Sequence, residues 1–89
     1  MSLLVKNGTL LLPGGVSRGN LLLEGGKIKS VTATEPKAEA IIDAEGLVVM
    51  PGMIDPHVHF RQPGMDGEDW LTGSKSALAG GVTTVLDMP

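Results

Sequence analysis

His57 and His59 are the only histidines in this 89-residue chain, and they stand two positions apart. They sit between Ile54-Asp55-Pro56 and Phe60-Arg61, on a stretch that reads as a β-strand. Successive strand side chains point to opposite faces, so residues at i and i+2 share one. Asp55, His57, His59 and Arg61 are therefore expected along one side, and Pro56, Val58 and Phe60 along the other. A neutral imidazole is a good zinc ligand, and two on one strand face can approach a single ion. A catalytic zinc commonly takes three or more protein ligands, so this pair is an incomplete set even with Asp55 and Asp87 nearby. Arg61 adds a planar guanidinium that can grip a carboxylate through two parallel charge-assisted hydrogen bonds. Together these residues describe a metal site with an anion clamp beside it. The same residues also fit a plainer role, as packed histidines and an exposed loop arginine.

The elements that must position this cluster fall into two parts, residues 1–50 and 51–89. In the first, Asn7-Gly8 is a hairpin signal between strands at 3–6 and 9–12, because both central residues of a type I′ turn need positive φ. Pro13-Gly14-Gly15 makes a second turn, and Gly25-Gly26 joins strands at 20–24 and 27–33. Residues 34–40 read as a loop, followed by short strands at 41–43 and 47–50. Short strands spaced by turns point to a small β-sandwich or open sheet.

From Pro51-Gly52 the pattern changes. Residues 53–60 read as a buried strand, 61–67 as a loop, and 66–79 as a helix. Asp66 and Asp69 form a capping pair at the helix start, and Trp70, Leu71, Ala77 and Leu78 its packed stripe. Gly73 counts against that helix, Gly80-Gly81 stops it, and 82–86 is β-branched and strand-like. Strand, helix and strand make a βαβ unit and imply a parallel sheet. In parallel α/β barrels the active site lies at the carboxyl ends of the strands, where His57, His59 and Asp87 fall. Asp55 is expected to support the histidines, and Asp87 either to face the site or to be a loop-facing or helix-capping carboxylate. The chain is expected to be the N-terminal portion of a larger protein, because nothing in it covers the unit's faces.

Composition narrows the function. The apolar content is 42%, with Phe60 and Trp70 the only aromatics, so the core must be aliphatic. A net charge of −3 argues against a nucleic-acid partner, which needs a basic surface. The absence of cysteine excludes disulfides and thiolate chemistry. No apolar run approaches the roughly 18 residues of a membrane span, and residues 1–6 lack the pattern of a signal peptide. No membrane partner and a cytoplasmic location are the expectation. Met50, Met53, Met65 and Trp70 read as packing, and the glycine pairs as turns rather than phosphate loops.

The run Asp43-Ala44-Glu45-Gly46-Leu47-Val48-Val49-Met50-Pro51-Gly52, continuing through Met53-Ile54-Asp55-Pro56-His57-Val58-His59, closely resembles the start of the barrel in the amidohydrolase superfamily. His59-Phe60-Arg61-Gln62-Pro63-Gly64 and the segment from Ala79 to Pro89 look like its cyclic-amidase branch, which contains dihydroorotases and allantoinases. His57-x-His59-x-Arg61 is similar to the dihydroorotase pattern. The resemblance implies an α/β fold: N-terminal β-sandwich strands leading into the first βαβ unit of a (β/α)8 TIM-type barrel, incomplete in this chain. It implies zinc, usually two ions bridged by a carboxylated lysine, with His57 and His59 on the more buried ion. The lysine, further ligands and the proton-shuttling aspartate are expected beyond Pro89, so this chain alone is an incomplete catalyst. The implied reaction is metal-assisted hydrolysis of a cyclic amide, interconverting dihydroorotate and N-carbamoyl-L-aspartate in pyrimidine synthesis by a homodimer. Arg61 favours dihydroorotate, which carries a ring carboxylate that allantoin and simple hydantoins lack. The alternatives are an allantoinase- or hydantoinase-type enzyme, a non-catalytic scaffold of the same fold, and a free-standing interaction module.

Overall fold

The computed structural model describes residues 1–60 and 69–88, which fall into two compact units, Met1–Met50 and Pro51–Pro89. The first unit is one mixed sheet of five strands: β1 (Ser2–Leu12), β2 (Gly15–Glu24), β3 (Lys27–Thr32), β4 (Ala40–Asp43) and β5 (Val48–Val49). Their order is β3-β2-β1-β4, with β5 also paired to β1. The hairpins β1–β2 and β2–β3 are antiparallel, whereas β4 and β5 return parallel to β1. Gly25 and Gly26 turn the second hairpin with φ of 61° and 76°, the two positive values that a type I′ turn requires. Alternation along β1 and β2 puts Leu4, Leu10 and Leu22 inside, and Leu4 and Leu10 are only 1% and 2% exposed. The core of this unit is aliphatic, as the composition demands.

The expected hairpin at Asn7-Gly8 is absent, and β1 runs through it. Val5 pairs with Leu21 and Gly8 with Gly19, so Lys6 and Asn7 together face Asn20 in a β-bulge. Asn7 takes the left-handed conformation at φ 62°, which asparagine tolerates better than most residues. The second positive φ of a two-residue turn is missing. The buried Asn20 side chain holds the bulge, accepting from the Asn7 N–H at 2.9 Å and donating to the Thr34 carbonyl at 2.6 Å. A hairpin and a bulge share the same local signal, and here the long-range partner decided between them.

The second unit contains β6 (Met53–Val58), α1 (Trp70–Ala79) and β7 (Val82–Asp87). Strands β6 and β7 pair in parallel, so the unit is the expected βαβ and the chain as a whole is α/β. Three details depart from expectation. Strand β6 ends at Val58 rather than at residue 60, and it is largely uncovered, with Ile54 64% exposed. Among the described residues β6 pairs with β7 alone, so its far edge has no ladder partner. Helix α1 begins at Trp70, with Asp69 as its N-cap and Thr72 completing a reciprocal capping box. Asp66, the other half of the expected capping pair, lies outside the described residues. The packed stripe also differs: Trp70, Leu71 and Leu78 are exposed, whereas Gly73 is buried and Ala77 half-buried. Small residues let α1 approach its unit closely.

Candidate metal centre

The carboxyl ends of two parallel strands form one edge of the second unit, and the chemistry-bearing residues gather there. Asp55 pairs with Val85 and Val58 with Asp87, so Pro56 and His57 together face Leu86 in a β-bulge. Proline has no N–H to give a ladder and is tolerated at such a point. Bulges re-aim side chains beside functional sites, and this one interrupts the regular alternation expected across Asp55, His57 and His59. The Asp55 carboxylate turns back along its own chain and accepts from the His57 N–H at 3.2 Å.

His57, the last residue but one of β6, and His59, just beyond it, nevertheless converge. Their Nε2 atoms are 3.1 Å apart, with ring centroids at 5.0 Å and ring planes at 64°. Two Zn–N bonds of about 2.0–2.1 Å at a tetrahedral angle separate their nitrogens by about 3.3 Å. The observed spacing therefore fits two ligands of one ion. Between neutral rings it also fits an N–H···N hydrogen bond. Nδ1 of His59 is buried and has no hydrogen-bond partner among the described residues. A histidine bound through Nε2 carries its proton on Nδ1 and usually donates it to an outer acceptor. Among the described residues no third histidine or carboxylate joins this pair in a group able to hold a metal. The donor set fits zinc in kind and spacing and supplies part of a site.

The backbone around His59 is fixed from β7. The Met88 N–H donates to the Val58 carbonyl at 2.7 Å. The Phe60 N–H donates to the Asp87 carboxylate at 2.8 Å. The Phe60 ring is buried, packs against Gly73 of α1, and meets Trp70 edge-on at 5.7 Å. The sequence pattern assigns no such role to Phe60 or Gly73; its one signal is a lone glycine in an otherwise helical pattern beside an aromatic-bearing strand end. Arg61, the expected carboxylate clamp, lies outside the described residues.

Comparison with known proteins shows the family of the chain. The family model for amidohydrolases matches residues 40–88, and the chain belongs to the amidohydrolase family. Among curated relatives, a dihydroorotase of Lactobacillus gasseri is 48% identical over 90 residues, covering 100% of this chain and 21% of that protein. An allantoinase of Escherichia coli is 40% identical over 88 residues, covering 98% of this chain and 19% of that protein. Among solved structures, a D-hydantoinase superposes with a TM-score of 0.88 at 35% identity, covering 98% of this chain and 20% of the other. A D-hydantoinase (dihydropyrimidinase) from Thermus sp. gives 0.84 at 38% identity, with 97% and 20% covered. The chain thus spans about a fifth of the length of the curated relatives it matches. Among the described residues no helix is long and apolar enough to cross a membrane.

Proposed function

We propose that His57 and His59 are two zinc ligands of a cyclic amidohydrolase that interconverts dihydroorotate and N-carbamoyl-L-aspartate, with the remaining ligands supplied by polypeptide outside these residues. The observation that carries this reading is the 3.1 Å approach of the two Nε2 atoms at the carboxyl edge of a parallel strand pair. When bound, zinc supplies Lewis acidity, which polarises an amide carbonyl and brings the pKa of water toward neutrality. This chain's own residues bind and orient. His57 and His59 present their nitrogens from the carboxyl end of β6, and Asp55 steadies that backbone by accepting from the His57 N–H. Arg61 grips the ring carboxylate of dihydroorotate and so sets which ring carbonyl faces the metal. The catalytic proton shuttle and the bridging carboxylated lysine of a two-zinc centre belong to the rest of the protein.

A second reading, an allantoinase- or hydantoinase-type cyclic amidase, draws on the 40% identity to an allantoinase and the close superposition on D-hydantoinase. Arg61 separates the two. The complete zinc-loaded polypeptide is to be assayed on dihydroorotate and on allantoin, beside Arg61→Ala. Loss of charge-assisted hydrogen bonds worth about 1.5–3 kcal/mol lowers kcat/KM on dihydroorotate by about 10- to 150-fold. Turnover of allantoin alone would favour the second reading. Zinc binding without turnover of either compound would favour a non-catalytic member of the fold.

A further inference from the structure

We propose that Asp87 is a positioning residue for the histidine pair: by accepting the Phe60 N–H, its carboxylate fixes the backbone that carries His59. The inference rests on His57 and His59 being metal ligands, and it concerns what holds them.

His59 lies one residue past the end of β6, where the ladder no longer dictates backbone angles. The two peptide groups flanking its Cα are nonetheless both tied to the end of β7. The carbonyl on its N-terminal side, that of Val58, accepts from the Met88 N–H at 2.7 Å. The N–H on its C-terminal side, that of Phe60, donates to Asp87 Oδ1 at 2.8 Å. With both planes anchored, the φ and ψ of His59 are confined, and so is the direction of its Cα–Cβ bond. The second tie comes from a side chain where a continuing strand would have used a backbone carbonyl. A carboxylate makes a stronger acceptor than a carbonyl, and its position follows the end of β7 rather than β6. The Phe60 ring, lodged against Gly73, resists rotation about the same segment. The imidazole is thereby held from the neighbouring strand, with no bond to the ring itself. Ligands held in this indirect way lose metal affinity by about 10- to 100-fold when the support is removed.

The test uses the complete polypeptide with Asp87→Ala and Asp87→Asn, folding being checked by circular dichroism. Zinc affinity is read by competition with a chromophoric chelator, and ligand geometry from the visible absorption of the cobalt(II)-substituted protein. Amide exchange at Phe60 reports the hydrogen bond directly. The expected result is a 10- to 100-fold loss of zinc affinity, an altered cobalt spectrum and fast Phe60 exchange in Asp87→Ala. Asp87→Asn, whose amide oxygen still accepts, should restore all three. Should the alanine variant fail to fold, Asp87→Ser replaces it, since its hydroxyl stops short of the Phe60 amide. Wild-type affinity and spectrum in Asp87→Ala would overturn the proposal. Equal damage from asparagine and alanine would overturn it too, because charge and not the hydrogen bond would then be acting. If the wild-type protein binds neither metal through His57 and His59, the metal reading itself falls, which is a different result from an indifferent Asp87.

Discussion

Phe60 and Gly73 are complementary: a Cβ built on Gly73 would stand 2.7 Å from Cδ1 of the Phe60 ring and 2.8 Å from Cγ. The ring therefore occupies the space that any larger residue on α1 would need. In this way the helix that follows the histidine strand is docked against the residue beside His59.

Two effects compete in Gly73→Ala. Alanine favours a helix interior by about 1 kcal/mol over glycine, whereas overpacking against an aromatic ring costs about 1–3 kcal/mol. We expect overpacking to win, so that urea unfolding of the complete polypeptide shows net destabilisation. Phe60→Leu combined with Gly73→Ala should recover part of it. A more stable Gly73→Ala would show that the close approach does not exist.

Asn20, 5% exposed, uses its side chain in both directions, toward the bulge of β1 and toward Thr34 just past β3. Asn20→Leu leaves the Asn7 N–H and the Thr34 carbonyl without that partner, a loss of about 1–3 kcal/mol for each group that stays buried. The midpoint of denaturant unfolding should fall with little change in its slope. An unchanged midpoint would mean that water replaces the amide at no cost.

Helix α1 carries a pH dependence. The Thr72 backbone N–H, followed by the Thr72 hydroxyl, stabilises the ionised Asp69 side chain and holds its pKa below the ordinary aspartate value of 3.8. A depressed folded-state pKa contributes stability that is fully present above the unfolded value and is lost as pH falls through the folded one. The cap should therefore hold at neutral pH and weaken only below about pH 3.8. A carboxyl titration of Asp69 followed by NMR measures this, and a midpoint above 3.8 would contradict the capping geometry.

Metal should raise stability if the histidines bind it in the folded state alone. At a free concentration one hundred times Kd, a ligand of this kind adds about 2.7 kcal/mol. Thermal unfolding of the complete polypeptide should shift upward with zinc and return after chelation. His57→Ala and His59→Ala should each abolish most of the shift. An undiminished shift in both variants would locate the zinc elsewhere.

Much of the site is legible in the amino-acid sequence because its signals are local. Pro51-Gly52, the apolar run after it and the glycine stop at Gly80-Gly81 mark a βαβ unit by turn chemistry and side-chain type. Histidines two apart on extended backbone can meet whatever surrounds them, and their Nε2 atoms do. The local signal at Asn7-Gly8, by contrast, misleads, because positive φ serves a bulge as well as a turn and the choice lies with Asn20, distant in sequence. Asp69 caps the helix as its residue type allows, but the start of α1 depends on Thr72 reaching back.

What the amino-acid sequence determined by itself is the strand–helix–strand order of the second unit, the family and the donor atoms at the carboxyl edge of β6, since each follows from residue types within a few positions of one another. Tertiary structure alone decided the bulge at Pro56-His57, the tie from Asp87 to Phe60 and the fit of Phe60 against Gly73. Each of these joins residues brought together by strand register or helix docking. Register and docking are set by the summed packing of a whole unit, which no short window of sequence contains.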